Sequence, residues 1–108
     1  MQRLVTAIIE TRTPRLYATE GQDDPRACAH FCALNGWDWY MTEYGPETGE
    51  AFGYVKGFES EWGYFSIREM EELNREKGFN VVERDGCFEP QPVSNFQQTP
   101  RRQTPVPV

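Results

Sequence analysis

Glu43, Lys56 and Glu59 are the residues of this sequence whose types could support general acid–base chemistry. A carboxylate and an amine held together can move a proton on a bound substrate, so a small hydrolase or nucleotide-modifying enzyme is one hypothesis. In the interpretation that we favour, Lys56 lies over Trp39 as a cation–π pair and the glutamates are solvated. The sequence contains no Gly-rich phosphate loop, nucleophile elbow or metalloprotease helix motif.

The cysteines and the single histidine are a second group with chemical potential. Cys28, His30, Cys32 and Cys87 offer thiolates and an imidazole, which are zinc ligands. On a strand, Cys28 and Cys32 would lie roughly 13 Å apart and His30 about 7 Å from either thiol, at about 3.3 Å per residue. In a helix, His30 would point away from the two cysteines. We therefore expect small buried cysteines, no metal site, no cofactor and no Cys–His catalytic pair.

The negative charge of the chain is concentrated in its middle third. The net charge is −6, and residues 38–72 contain nine acidic but only two basic side chains. Such a surface repels phosphate backbones, so we do not expect direct binding to nucleic acid. It could instead present carboxylates where a nucleic-acid-binding protein expects phosphates, with tyrosines as anchors. The alternative is an ordinary solvated acidic face.

The residues that we assign to this partner-binding surface lie on one face and at the tip of a predicted hairpin. They are Asp38, Tyr40, Thr42, Tyr44, Glu47 and Glu50, and we expect the two tyrosines to be exposed.

The hairpin over residues 37–58 is the part of the fold that the sequence specifies best. "YGPETGEA" predicts a turn with Pro46 at its second position and a left-handed residue at Gly49. If Tyr44 faces Ala51, alternation along the two strands places the large aromatic residues on one face. We assign that face to the core; its pairs are Trp37–Phe58, Trp39–Lys56, Met41–Tyr54 and Glu43–Phe52.

The segments around the hairpin complete a prediction of an α+β fold. Ser66 and Glu69 form a capping box for a helix over residues 66–77. "MQRLVTAIIETR" predicts a short N-terminal helix, whereas "RACAHFCAL" and "GYF" predict single strands. "NVVERDGCFEP" predicts two short strands around a turn. The sheet should be antiparallel, with about four or five strands centred on the hairpin and the 66–77 helix packed on one face.

The chain length predicts one domain, over residues 1–92. Residues 93–108 are rich in proline and glutamine with little to bury, so we expect a disordered tail. No apolar run approaches the roughly 18 residues that a membrane span needs, and "LVTAII" lacks the features of a signal peptide. We therefore expect a cytoplasmic protein.

The order of the motifs resembles a family of small uncharacterised proteins carried by plasmids, phages and other mobile elements. The resemblance spans roughly residues 14–92 and is most specific in "LYATE", "WYMTE", "GYVKGFE" and "GYFS". The chain departs from the pattern in the Cys-rich "ACAHFCAL" and in the tail beyond Pro92. Because mobile elements often carry small inhibitors of host defence, the resemblance implies a non-enzymatic protein-binding module, acting as a counter-defence inhibitor of a nucleic-acid-binding host protein.

Overall fold

The computed structural model describes residues 2–97, which form an α+β fold. In chain order the elements are α1 (Ala7–Arg12), β1 (Arg26–Ala27), β2 (Ala29–Ala33), β3 (Asp38–Gly45), β4 (Glu50–Lys56), β5 (Ser60–Ser66), α2 (Ile67–Lys77), β6 (Val82–Arg84), β7 (Gln91–Pro92) and α3 (Ser94–Gln97). Five antiparallel strands pair in the order β5-β4-β3-β2-β6, and β1 pairs with β7. The predicted fold class, with five strands centred on the hairpin, is confirmed.

The turn between β3 and β4 forms as the sequence predicts. Gly49 has a φ of +78°, in the left-handed region that a residue with a side chain rarely adopts. Tyr44 lies opposite Ala51, and Glu43 lies opposite Phe52. The hairpin register next to the turn is therefore confirmed.

A β-bulge at Thr42 shifts the register further from the turn. Met41 pairs with Gly53 and Tyr40 pairs with Tyr54, so the predicted Met41–Tyr54 pairing is wrong by one residue. A bulge adds one residue to one strand and moves the following side chains to the opposite face. Tyr54 consequently lies on the same face as Tyr40, and the predicted single core face is split between the two sides of the sheet.

Both sides of the sheet are covered. The helix face packs against α1 and α2 and includes Phe31, Trp39, Met41, Tyr44 and Ala51. The aromatic face carries Tyr40, Phe52, Tyr54, Trp62 and Tyr64, which contact one another through neighbouring strands.

Helix α2 begins and ends where its sequence predicts. The Ser66 hydroxyl accepts a hydrogen bond from the Glu69 amide at 3.1 Å, and Gly78 follows the last turn. The fully buried Asn74 side chain donates to the Val82 carbonyl at 2.9 Å and accepts from the Val82 amide at 3.0 Å. These bonds attach α2 to the edge strand β6. The predicted packing of this helix on one face is confirmed.

The N-terminal helix is shorter than its apolar stripe suggests. It begins after Thr6, whose hydroxyl accepts from the Ile9 amide. Leu4 and Val5 precede the helix and are buried, whereas Ile8 is 73% exposed. The chain thus buries its first apolar residues from an extended segment. Among residues 2–97, no helix has the length and apolar character needed to cross a bilayer.

The C-terminal segment pairs with distant strands instead of forming a local hairpin. β6 pairs with β2, and β7 pairs with β1. Val93 is fully buried, and the Phe96 ring stacks on Tyr40 with centroids 4.1 Å apart. The expectation that a tail starting at residue 93 has little to bury is therefore wrong for residues 93–97. The rest of the predicted tail lies outside the described residues.

Candidate functional site

Glu43 is a buried carboxylate that fixes the loop between α1 and β1. Its side chain is on β3, next to the bulge, and the residue is only 3% exposed. Oε1 accepts a hydrogen bond from the Tyr17 amide at 2.7 Å, and Oε2 accepts from the Thr19 amide at 2.9 Å and from the Thr19 hydroxyl. The carboxylate therefore attaches "LYATE", the first segment of the sequence pattern, to the sheet.

The loop and the sheet enclose a groove with a cavity of about 360 Å³. We call it the acidic groove; its lining residues are Tyr17, Thr19, Glu20, Gly21, Gln22, Asp23 and Pro25 from the loop and Glu43, Phe52, Trp62 and Tyr64 from the sheet.

Aromatic rings form the sheet side of the acidic groove. Phe52 stacks on Trp62 with centroids 5.8 Å apart and contacts Tyr64 at 4.8 Å. Tyr17 closes the opposite side, 6.4 Å from Tyr64. Trp62, Tyr64 and Tyr17 are 37%, 50% and 60% exposed, so their rings are accessible to a ligand. Phe52 contacts both the Trp62 and the Tyr64 ring.

The conformation of Tyr17 is unusual. It is the one residue other than glycine within 2–97 with a positive φ, at 73°. Such a backbone costs on the order of 1–3 kcal/mol and persists where the surrounding structure enforces it. Here the Glu43 carboxylate holds the Tyr17 amide, and the Tyr17 ring is turned towards Tyr64. The strained backbone thus places a ring at the edge of the groove.

The groove is negatively charged. Glu43 lies in its wall, and the exposed side chains of Glu20 and Asp23 lie on its rim. The interaction with the Tyr17 hydroxyl, together with nearby carboxylates, raises the pKa of Tyr64 to about 12. Tyr64 therefore stays neutral at physiological pH, and the charge of the groove comes from the carboxylates.

Three of the predicted partner-binding residues are not accessible. Tyr40 and Tyr44 are 8% and 9% exposed, so the expectation that both are exposed anchors is wrong. The bulge separates them: Tyr44 packs in the core beneath the helices, whereas Tyr40 is covered by Phe88 and Phe96. Burial raises the pKa of Tyr40 to about 12. Thr42 is fully buried as well.

The acidic members of the predicted surface are divided between two places. Glu47 and Glu50 are exposed at the hairpin tip, and the charge of Glu50 acts on the Tyr64 hydroxyl. Asp38 lies at the far end of β3, where it binds His30. Of these acidic residues, only Glu50 therefore acts on a residue of the acidic groove.

The alternative catalytic cluster of Glu43, Lys56 and Glu59 does not assemble. Glu43 pairs with Phe52, four residues from Lys56 along β4, which is roughly 13 Å at about 3.3 Å per residue. Lys56 Nζ donates to the Phe96 carbonyl at 3.2 Å, on the aromatic face. Glu59 is exposed in the turn that follows β4.

The expected cation–π pair of Lys56 with Trp39 is not formed either. Lys56 pairs with Asp38, while Trp39 pairs with Val55 and belongs to the helix face. Consecutive residues of a strand point to opposite faces, and the bulge therefore places these two side chains on opposite sides of the sheet.

His30 forms a cluster that sequence reasoning missed. Its Nε2 lies 2.7 Å from Asp38 Oδ1 and its Nδ1 lies 3.0 Å from Asp85 Oδ2, while its ring stacks on Tyr40 at 4.6 Å. The hydrogen bond with His30 lowers the pKa of Asp85. Asp85 is 55 residues away in sequence, so no local spacing could indicate this contact. The cluster joins β2, β3 and the turn after β6.

The three cysteines are free thiols in different environments. Cys28 is buried and Cys32 is half-buried, as expected for small core residues, but Cys87 is exposed, which the sequence interpretation did not anticipate. Burial raises the pKa of Cys28 and Cys32, so both stay protonated at physiological pH. Within residues 2–97, no group of three or more His, Cys, Asp or Glu side chains is arranged to hold a metal ion.

Comparisons with known proteins give a family but no activity. No curated protein and no solved structure matches the chain. A family model described as "Protein of unknown function (DUF2958)" matches residues 2–106. The match includes the C-terminal segment that seemed specific to this chain, and it covers both the loop and the strands of the acidic groove. The chain therefore belongs to DUF2958, a family of proteins of unknown function.

Proposed function

We propose that the protein is a non-enzymatic protein-binding module that binds a basic segment of a partner protein in the acidic groove. The observation that carries this proposal is a cavity of about 360 Å³ with accessible aromatic rings on one side and carboxylates in its wall and rim. Aromatic residues are common anchors in protein interfaces, and complementary charge guides the encounter.

The proposed anchors differ from the tyrosines expected from the sequence. Trp62, Tyr64 and Tyr17 are exposed and lie within one groove, whereas Tyr40 and Tyr44 are core residues. A ring that is partly exposed in the free protein can become buried when the partner binds, which is typical of the residues that dominate binding energy.

Acidic side chains extend the charge of the groove towards the hairpin tip. Glu20 and Asp23 lie on the rim, and the exposed Glu50 acts on the Tyr64 hydroxyl from the hairpin side. A phosphate-bearing ligand would be repelled by this surface. A protein segment rich in lysine and arginine would be attracted. Together with the resemblance to mobile-element proteins, this chemistry supports a nucleic-acid-binding host protein as the partner and a counter-defence role.

The experiment uses a fluorescent peptide of alternating basic and small residues, with an acidic peptide of the same length as the reference. We expect binding of the basic peptide, measured by fluorescence anisotropy, to weaken as salt rises from about 50 to about 300 mM, because screening shortens the reach of exposed charges. The double variant Glu20→Lys, Asp23→Lys should slow association, since rim charges act mainly through steering.

The matched control places the same charge change on α2. Glu72 and Glu76 are exposed on that helix, outside the acidic groove, so Glu72→Lys with Glu76→Lys should alter association much less. Trp62→Ala should speed dissociation, as expected for an anchor residue. Equal effects of the two double variants, or no binding of the basic peptide, would overturn the proposal.

A further inference from the structure

The Glu43 carboxylate is buried and has no neighbouring cation. Among residues 2–97, the ion pairs within 4.0 Å are the two made by His30, so no basic side chain lies beside Glu43. Its three hydrogen-bond donors are two backbone amides and a hydroxyl, all uncharged. A carboxylate has about four acceptor positions, and Oε1 accepts only one of these bonds. One acceptor position therefore remains available.

The rings around this carboxylate suit a cation. The faces of tryptophan and tyrosine attract ammonium and guanidinium groups within about 6 Å of the ring centre. Trp62, Tyr64 and Tyr17 line the same cavity as Glu43, and Glu20 and Asp23 add negative charge at its mouth. An anionic side chain would be repelled by these carboxylates, whereas an apolar one would gain no electrostatic attraction from them.

We infer that the acidic groove holds a single cationic side chain of the partner, an ammonium or guanidinium group placed between aromatic ring faces and paired with Glu43. This inference rests on the proposed function, because the side chain is contributed by the bound protein. The cavity volume of about 360 Å³ lies at the lower end of the range for small-ligand sites. It therefore suits one extended side chain, while the rest of the partner segment follows the rim.

The test uses single amino acids blocked at both ends, so that the side chain is the only source of charge. N-acetyl-lysine methylamide, its trimethylated form and N-acetyl-arginine methylamide are the cationic probes, and N-acetyl-norleucine methylamide is the neutral control. Binding is followed by two-dimensional NMR at the Trp62 indole N–H and at the Tyr17 and Thr19 amides that bind Glu43. We expect saturable shifts of these signals with the cations, and binding of norleucine weaker by about tenfold or more.

Two variants distinguish the contribution of the Glu43 carboxylate to cation binding from that of the aromatic rings. Glu43→Gln should weaken cation binding by about tenfold, and Trp62→Leu should weaken trimethyl-lysine binding several-fold, because leucine keeps apolar bulk without a π face. Phe58→Leu is the matched control, since Phe58 is 95% exposed and lies outside the groove, and it should change nothing. If Glu43→Gln fails to fold, Glu20→Gln with Asp23→Asn on the exposed rim tests the same charge dependence.

The outcomes distinguish the inference from the proposed function. If the basic peptide binds in the groove but the single cations shift no groove signal, or if norleucine binds as well as lysine, the cation site is refuted and the binding module remains. If the cations bind in the groove while no basic peptide does, the protein-binding proposal is overturned, and with it the assignment of the cation to a partner. Cation shifts spread over the acidic surface and unaffected by Trp62→Leu would refute the site.

Discussion

Val93→Ala tests whether the C-terminal segment is part of the packed domain. Val93 is fully buried on the aromatic face, in a cluster with Ala27, Tyr40 and Tyr54. The substitution removes two methyl groups, each worth about 0.8 kcal/mol when buried, and leaves a small cavity. We therefore expect a loss of about 2 kcal/mol in the free energy of unfolding. For a domain of this size, that loss lowers the melting temperature by about 10 °C.

The assay is thermal and urea unfolding of the full chain, followed by circular dichroism. Leu34→Ala is the control, because Leu34 is 71% exposed and its truncation should change stability by no more than about 0.5 kcal/mol. Phe96→Leu should cost about 1 kcal/mol, since it keeps apolar bulk but removes the ring stacked on Tyr40. If Val93→Ala were as neutral as Leu34→Ala, the assignment of residues 93–97 to the domain would be refuted.

Three further substitutions test the hairpin and the His30 cluster. Gly49→Val should destabilise the domain by about 1 kcal/mol or more, because φ is +78° there; an unchanged urea midpoint would contradict the turn. Gly53→Ala should lower the free energy of unfolding by about 3 kcal/mol or more, since a Cβ would lie 2.0 Å from the Tyr40 carbonyl oxygen. Gly63 pairs with Gly53 on the next strand and has nothing within 4 Å of the position that a Cβ would take, so Gly63→Ala should cost far less. Asp85 has a lowered pKa, so its stabilising contribution is present above about pH 4 and is lost as pH falls through its folded-state pKa. The difference in unfolding free energy between the unaltered protein and Asp85→Asn should thus shrink as pH falls from about 5 to about 2. A constant difference would show that the charge of Asp85 is not involved. Glu89→Gln, which removes the same charge nearby, is the control.

The sequence predicts those parts of the fold that local chemistry determines. The α2 boundaries follow from Ser66, Glu69 and Gly78, and the hairpin turn follows from Pro46 and Gly49. In each case, the residues that decide the structure are within a few positions of one another. Capping and turn preferences act over that range, so their signal is present in the sequence.

The bulge at Thr42 has no such local signal. A regular hairpin and a hairpin with one extra residue show the same alternation of aromatic and charged residues on either side of the bulge. The alternation therefore does not indicate which of the two forms. The choice depends on Gly53, whose missing side chain lets the Tyr40 carbonyl approach. It depends also on what covers each face: the helices on one side, and Phe88, Val93 and Phe96 on the other. Phe88, Val93 and Phe96 come from the C-terminal third of the chain, which has little apolar periodicity to indicate this packing.

The same long-range packing explains why the candidate site could be predicted only in part. Glu43 is identifiable from the sequence only as a residue whose type could support acid–base chemistry. Its actual neighbours, the Tyr17 and Thr19 amides, are 26 and 24 residues away, in a loop without helical or strand periodicity. The loop carries its own acidic residues to the aromatic rings of β4 and β5, and the groove lies between the sheet and this loop, which Glu43 binds. Glu43 is therefore both the structural anchor of the loop and the carboxylate in the wall of the groove. Glu43→Gln removes the carboxylate but keeps a side-chain oxygen that can accept from the loop, and the NMR signals of the Tyr17 and Thr19 amides show whether the loop stays bound. This substitution is therefore more informative about function than any change at the rim.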